Sequence, residues 1–305
     1  MAGGSGWQGG DSLVIGEAEL NGRLGGKELA LERMKKAGVV LLILLAIGYI
    51  AVCVVLYIKQ DAMVFDPRRE SFEEMEAEAR GRGFEPWLNA KGERIGWQST
   101  EGNEDQVLLG FSGQAGNALD LCFLRDCCKR EESNWKTYLM EYPGYGSREG
   151  KPSEKAFTAA AVEAVDMLTA MPGRKIWLVG QSMGSGTACA TVRERGTKIA
   201  GVLLLTPFNS LVAVAKGRMH WIPVSLLLRT RFRSDKNLAK YPGPVAIFIS
   251  GKDTVVPPAL GQKLYDGYRG KKRLWVDPES DHDVSELLKK DWGKIVEWLE
   301  APADK

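Results

Sequence analysis

The sequence predicts an α/β architecture: a mostly parallel sheet of eight strands with helices on both faces, preceded by one long apolar segment. Three observations carry this. From Phe84 onward, short segments rich in β-branched and aromatic residues alternate with segments of helical period, the pattern of a parallel sheet covered on both faces. The run Ile176-Trp177-Leu178-Val179 leads straight into Gly180-Gln181-Ser182-Met183-Gly184 and a helical stretch to Arg195, so a serine stands on a strand-to-helix turn. Residues 37–58 hold 22 positions without a charge between Lys36 and Lys59.

The apolar segment comes first in the chain. As a helix its 22 residues extend about 33 Å, enough for a hydrocarbon core of about 30 Å. A cleaved signal peptide fits poorly, because the run is too long, starts after 36 mostly polar residues and lacks a small-x-small exit site. Residues 1–36 begin glycine-rich and lack a sustained apolar period, which predicts a flexible tail before a transmembrane helix at 37–58. Arg23, Lys27, Arg33, Lys35 and Lys36 precede the span, against Lys59, Arg68 and Arg69 after it. This bias predicts a single-pass chain with a cytoplasmic tail and residues 60–305 extracytoplasmic.

Past the span, Ser71-Phe72-Glu73-Glu74 has the spacing of a capping box opening a short, solvated acidic helix. Strands are expected at 85–88, 94–98, 106–111, 135–141, 175–179, 199–205, 245–250 and 272–276. Between residues 153 and 171, Phe157, Ala161, Ala164, Val165 and Leu168 form one apolar stripe at helical spacing, a core face. Residues 208–238 break the alternation between the sixth and seventh strands and include Trp221, Ile222, Leu226 and Leu227. They read equally as a cap over a site or as a helical excursion packed on the sheet edge.

Composition narrows the function. With 305 residues, 26% of them charged, and a net charge of +2 the chain is globular, and no long basic block argues for nucleic acid. Five cysteines without a C-x-x-C pair support neither a zinc site nor a redox motif. Cys122, Cys127 and Cys128 fall on one expected helix, where packing is their ordinary role.

The chemistry gathers around Ser182. A serine hydroxyl is a poor nucleophile until a base takes its proton and a carboxylate fixes that base's tautomer. Of the two histidines, His282 follows the last strand, in Glu279-Ser280-Asp281-His282-Asp283, whereas His220 lies in the 208–238 insertion and reads as a surface or packing residue. Ile247-Phe248-Ile249-Ser250-Gly251-Lys252-Asp253 delivers a carboxylate at a strand exit, giving the order Ser182, Asp253, His282. The backbone N–H of Met183 and one from the turn after the third strand would meet an oxyanion, Gln114 being the first choice for the second donor and Ser112 the next. Phe111 beside that turn, with Trp221 and Leu227 in the insertion, are the expected substrate-binding residues.

With these residues in place the chain resembles the membrane-anchored α/β-hydrolase-domain serine hydrolases, the single-span α/β-hydrolase domain proteins and their bacterial homologues. The resemblance spans roughly residues 60 to 300 and rests on Val64-Phe65-Asp66-Pro67-Arg68, Ile95-Gly96-Trp97, Phe111 to Asn117, Tyr142-Pro143-Gly144-Tyr145-Gly146-Ser147, Gly180 to Gly184, Thr206-Pro207-Phe208, Gly251 to Pro257 and Asp281-His282. Where that family commonly has His-Gly-Asn after the third strand, this chain has Ser112-Gly113-Gln114. The resemblance implies an α/β-hydrolase fold and cleavage of a carboxylic ester or related acyl bond through an acyl-serine, with a small-molecule or lipid-like acyl substrate and no metal or organic cofactor. The same triad also serves thioesterases and serine peptidases, and a binding protein that has lost activity is the alternative of another class.

Overall fold

The computed structural model describes residues 11–130 and 134–301, and the chain divides after Ile58 into two units. Within the stretch expected as a flexible tail, one helix, α1, begins at Asp11, well before the apolar run, and ends at Val64. Once a helix is nucleated, each added residue fixes one backbone position for one hydrogen bond, so the Leu-, Glu- and Lys-rich residues before the span extend it at little cost. Residues 1–10 of that expected tail lie outside the described residues. Within α1, Leu29–Val64 is long and apolar enough to cross a membrane, and residues 29–52 are exposed throughout.

The second unit holds eight strands in one sheet: β1 Phe84–Leu88, β2 Arg94–Ser99, β3 Asn103–Phe111, β4 Trp135–Met140, β5 Lys175–Gln181, β6 Gly201–Leu205, β7 Val245–Ser250 and β8 Lys272–Asp277. Their order across the sheet is β8-β7-β6-β5-β3-β4-β2-β1. Strand β2 runs antiparallel to β1 and β4, and the remaining pairs are parallel. All eight expected segments are these strands, with differences at their ends. β6 starts at Gly201 because Gly196–Lys198 is a 3₁₀ turn and the N–H of Ile199 still donates back to Gly196.

The helices are α2 Phe72–Gly81, α3 Phe123–Arg130, α4 Glu154–Thr169, α5 Met183–Arg195, α6 Leu211–Arg218, α7 Val224–Leu227, α8 Ser234–Leu238, α9 Pro258–Gly267 and α10 Ser285–Glu300. The capping box is formed at α2, where the Ser71 hydroxyl accepts from the Glu74 N–H and the Glu74 carboxylate accepts from the Ser71 N–H. That helix is solvated on one face only, since Met75 and Ala79 are fully buried.

Successive side chains of the central strands go to opposite faces and build two cores. Leu109, Leu178, Leu204 and Ile247 pack with Phe157, Val165 and Ala188 of α4 and α5, while Leu108, Trp177, Leu203 and Phe248 pack with Leu124, Leu288 and Trp292 of α3 and α10. Leu288, Trp292, Ile295 and Leu299 recur at helical spacing along the buried face of α10. Each such burial contributes roughly 1.5–3 kcal/mol, which fixes the helix that follows His282.

Register decides where the loops open. Phe111 pairs with Gly180, Gln181 with Leu205, Leu205 with Phe248, and Ser250 with Asp277. The carboxyl ends of β3, β5, β6, β7 and β8 therefore stop level with one another, and their loops emerge along one edge, the usual ligand edge of an open α/β sheet.

Candidate active site

Ser182 sits between β5 and α5 with φ +52° and ψ −117°, a conformation strained for any residue but glycine. Its N–H donates to the Leu205 carbonyl at 2.9 Å, which holds the turn against β6. As the residue before a helix, a serine ordinarily spends its hydroxyl on capping, but this one makes no capping bond. Among the described residues that hydroxyl makes no hydrogen bond at all, so it is available to a reactant.

The flanking glycines are required by close backbone approach. A Cβ on Gly180 would lie 2.4 Å from the Gly184 carbonyl oxygen, and one on Gly184 would lie 2.1 Å from the Phe111 oxygen and 2.6 Å from the Ser112 oxygen. The same packing brings the turn after β3 onto Ser182: a Cβ on Gly113 would stand 3.7 Å from Cβ of Ser182.

The candidate base and the candidate carboxylate lie in contact. His282 Nδ1 and Asp253 Oδ2 are 2.8 Å apart, with the Asp253 side chain 1% and the His282 side chain 26% exposed. Asp253 Oδ1 accepts from the N–H groups of Val255 and Val256, both at 2.8 Å. A buried carboxylate held by two amides keeps its other oxygen aimed at the imidazole, which orients the ring and places the Nδ1 proton. His220 stands exposed in the insertion.

Met183 is the first residue of α5, where an N–H has no intrahelical acceptor and the helix dipole favours negative charge. Opposite it, the turn after β3 is held by two tyrosines from Tyr142-Pro143-Gly144-Tyr145. Tyr142 donates to the Ser112 carbonyl at 3.1 Å and Tyr145 to the Gln114 carbonyl at 2.7 Å. Burial pushes both phenols above their ordinary pKa, so they remain donors. The Gln114 side chain donates to the Met63 carbonyl at 2.9 Å. Next to it, the Ser112 hydroxyl is buried and has no hydrogen-bond partner among the described residues.

The three expected substrate-binding residues lie in different settings. Phe111 is fully buried in the core, and its carbonyl rather than its ring lies against Gly184. Trp221 is 55% exposed, and Leu227 is half-buried with its carbonyl accepting from Gln60. Residues 208–238 begin at Phe208, fully buried beside the sheet, and return through Phe232, whose ring fills the space that a side chain on Gly186 of α5 would need. Arg218 donates to the Val255 carbonyl at 2.9 Å, joining this insertion to the loop that carries Asp253.

Two features went unread in the sequence. Thr206 has φ +46°, severe for a β-branched residue, immediately after the carbonyl that receives the Ser182 N–H. The pairing of Asp66–Pro67 with Ala115–Gly116 stitches the chain after α1 to the turn after β3. The sequence signal was present in Thr206-Pro207 and Asp66-Pro67, but neither dipeptide reveals a positive φ or a long-range partner.

A family model described as alpha/beta hydrolase fold matches residues 116–240. The structure of a Pyrococcus furiosus esterase aligns with 78% of this chain and 97% of its own at a TM-score of 0.59 and 15% identity. The chain has the α/β-hydrolase fold. Est1E from Butyrivibrio proteoclasticus shares the fold over 72% of this chain and all of its own, with a TM-score of 0.57 and 14% identity. An uncharacterised Mycobacterium tuberculosis protein is 32% identical over 154 residues, 49% of this chain and 54% of that protein. The lysophosphatidylserine lipase ABHD12 of Rattus norvegicus is 26% identical over 202 residues, 59% of this chain and 50% of that protein. The chain thus spans about half the length of these curated relatives.

Proposed function

We propose that this protein is a membrane-anchored serine hydrolase that cleaves carboxylic esters of lipid-like acyl substrates through an acyl-serine. The observation that carries this is the 2.8 Å His282–Asp253 bond on the sheet edge where Ser182 holds φ +52° with an uncommitted hydroxyl. In the reaction, Nε2 of His282 takes the Ser182 proton as Oγ attacks the acyl carbon. The N–H groups of Met183 and Gln114 receive the oxyanion. The same imidazole, now protonated and steadied by Asp253, gives its proton to the departing alcohol, and water repeats the sequence on the acyl-serine.

The names of the relatives, esterase and lipase, favour an ester over a thioester or a peptide bond, and the complete set Ser182, Asp253 and His282 opposes a catalytically silent protein. The apolar helix and the apolar residues of the 208–238 insertion support a substrate drawn from the bilayer. The excess of basic residues before the span supports an extracytoplasmic hydrolase domain. Labelling with a fluorophosphonate probe tests the chemistry: wild type is expected to label and Ser182→Ala to fail. Equal labelling of the two, or none of wild type, overturns it. External protease on intact cells is expected to digest residues 60–305, and their protection would reverse the orientation.

A further inference from the structure

The 208–238 insertion has an unusual charge for this chain. It carries six Lys or Arg against one Asp, a net of +5, in a protein whose total is +2. Arg229 and Arg233 pair with Asp61 and Asp235. Among the described residues Lys216, Arg218, Arg231 and Lys236 form no ion pair, and all four are exposed. Amid these cations Trp221 is 55% and Leu226 is 82% exposed. Exposed aromatic and aliphatic side chains among basic ones are the composition of a segment that lies in a bilayer interface.

The insertion is also tied to the first residues of the folded unit. Gln60, 6% exposed, donates from Nε2 to the Leu227 carbonyl at 3.2 Å and accepts from the Arg229 N–H at 2.7 Å. The neighbouring Asp61 pairs with Arg229 at 2.8 Å. Gln60 follows Ile58, the last residue of the apolar run, by two positions, a helical rise of about 3 Å. Residues 227–229 are therefore bonded to the second residue of the folded unit, Lys59–Lys305. At its other end the insertion is held by Arg218 to Val255, beside the amides that grip Asp253. One basic, apolar-tipped segment is bonded both to the start of the folded unit and to the loop of the proposed catalytic carboxylate.

We propose that residues 216–231 dock on the anionic headgroups of the bilayer that holds the apolar helix, with Trp221 and Leu226 entering the interface. This rests on the reading of residues 37–58 as a membrane anchor. Docking delivers an acyl chain to the site from lipid, without a passage through water, and it weakens with salt because the attraction is electrostatic.

The full-length chain, reconstituted into nanodiscs of phosphatidylcholine with brominated acyl chains, with or without phosphatidylglycerol, provides the test. The tryptophan fluorescence of wild type minus that of Trp221→Phe isolates Trp221. That component is expected to be quenched about twofold or more in anionic discs at low salt, and to recover in high salt or in Lys216→Gln/Arg231→Gln. Identical quenching of wild type and Trp221→Phe in anionic discs overturns the docking and leaves the anchor standing. Failure of the chain to remain in discs overturns the anchor and the docking together. Fluorophosphonate labelling of the same samples reports the hydrolase reading independently.

Discussion

Replacing Asp253 by Asn changes one atom and reverses one hydrogen bond. In the native site Oδ1 accepts two N–H groups, from Val255 and Val256, each at 2.8 Å. An amide NH₂ there would set donor against donor, so the asparagine oxygen must keep that place. Its NH₂ then occupies the position of Oδ2, 2.8 Å from His282 Nδ1. Facing a donor, Nδ1 must accept, the imidazole proton moves to Nε2, and the nitrogen that should take the Ser182 proton already carries one. The expected loss in kcat is about 10⁴-fold, or about 5–6 kcal/mol of transition-state stabilisation at 1.36 kcal/mol per tenfold. Both backbone bonds to Oδ1 survive, so the native state loses only the charge-assisted bond to His282, at a cost of about 1.5–3 kcal/mol. The assay is p-nitrophenyl butyrate turnover by the full-length chain, with thermal denaturation alongside to show that the variant is folded. A folded Asp253→Asn enzyme within tenfold of wild type would refute the assignment of tautomer control to Asp253.

Other perturbations have equally definite outcomes. In Gly184→Ala the new Cβ meets the Phe111 oxygen at 2.1 Å. A loss of about 2–3 kcal/mol or more in urea denaturation is expected, whereas Gly267→Ala, with no atom within 4 Å, should be near neutral. Tyr145→Phe removes the 2.7 Å bond to the Gln114 carbonyl and should lower kcat by about tenfold with KM little changed, since the donors act on the transition state. Burial lifts the Glu141 carboxyl from 4.5 to about 7 despite the Arg94 guanidinium nearby. Between these two values the native state keeps a proton that the unfolded chain releases. Stability is full below the lower value and falls as pH rises through the upper, by up to about 3 kcal/mol. Urea melts across that range should show this slope in wild type and a flatter one in Glu141→Gln.

The sheet was legible because its central strands are buried on both faces and read as unbroken apolar runs between turn residues, as in Val245–Ser250. The candidate triad was legible for a different reason: Ser182 directly follows one strand, and Asp253 and His282 lie shortly past the ends of two others, so strand order alone fixes which loops open together. What stayed hidden depends on three-dimensional partners. Gln60 is an unremarkable polar residue until its side chain is seen bonded across 167 positions to Leu227. Tyr142 and Tyr145 were visible as a motif, but their hold on the turn after β3 is long-range and leaves no periodic trace.

Rapid-quench mass spectrometry during turnover of a p-nitrophenyl ester tests the acyl-serine most directly. Within the burst, the peptide containing Ser182 should gain the mass of the acyl group, and Ser182→Ala should yield neither the adduct nor the burst. Product release by wild type with that peptide unmodified at every time, or undiminished turnover by Ser182→Ala, would contradict the account.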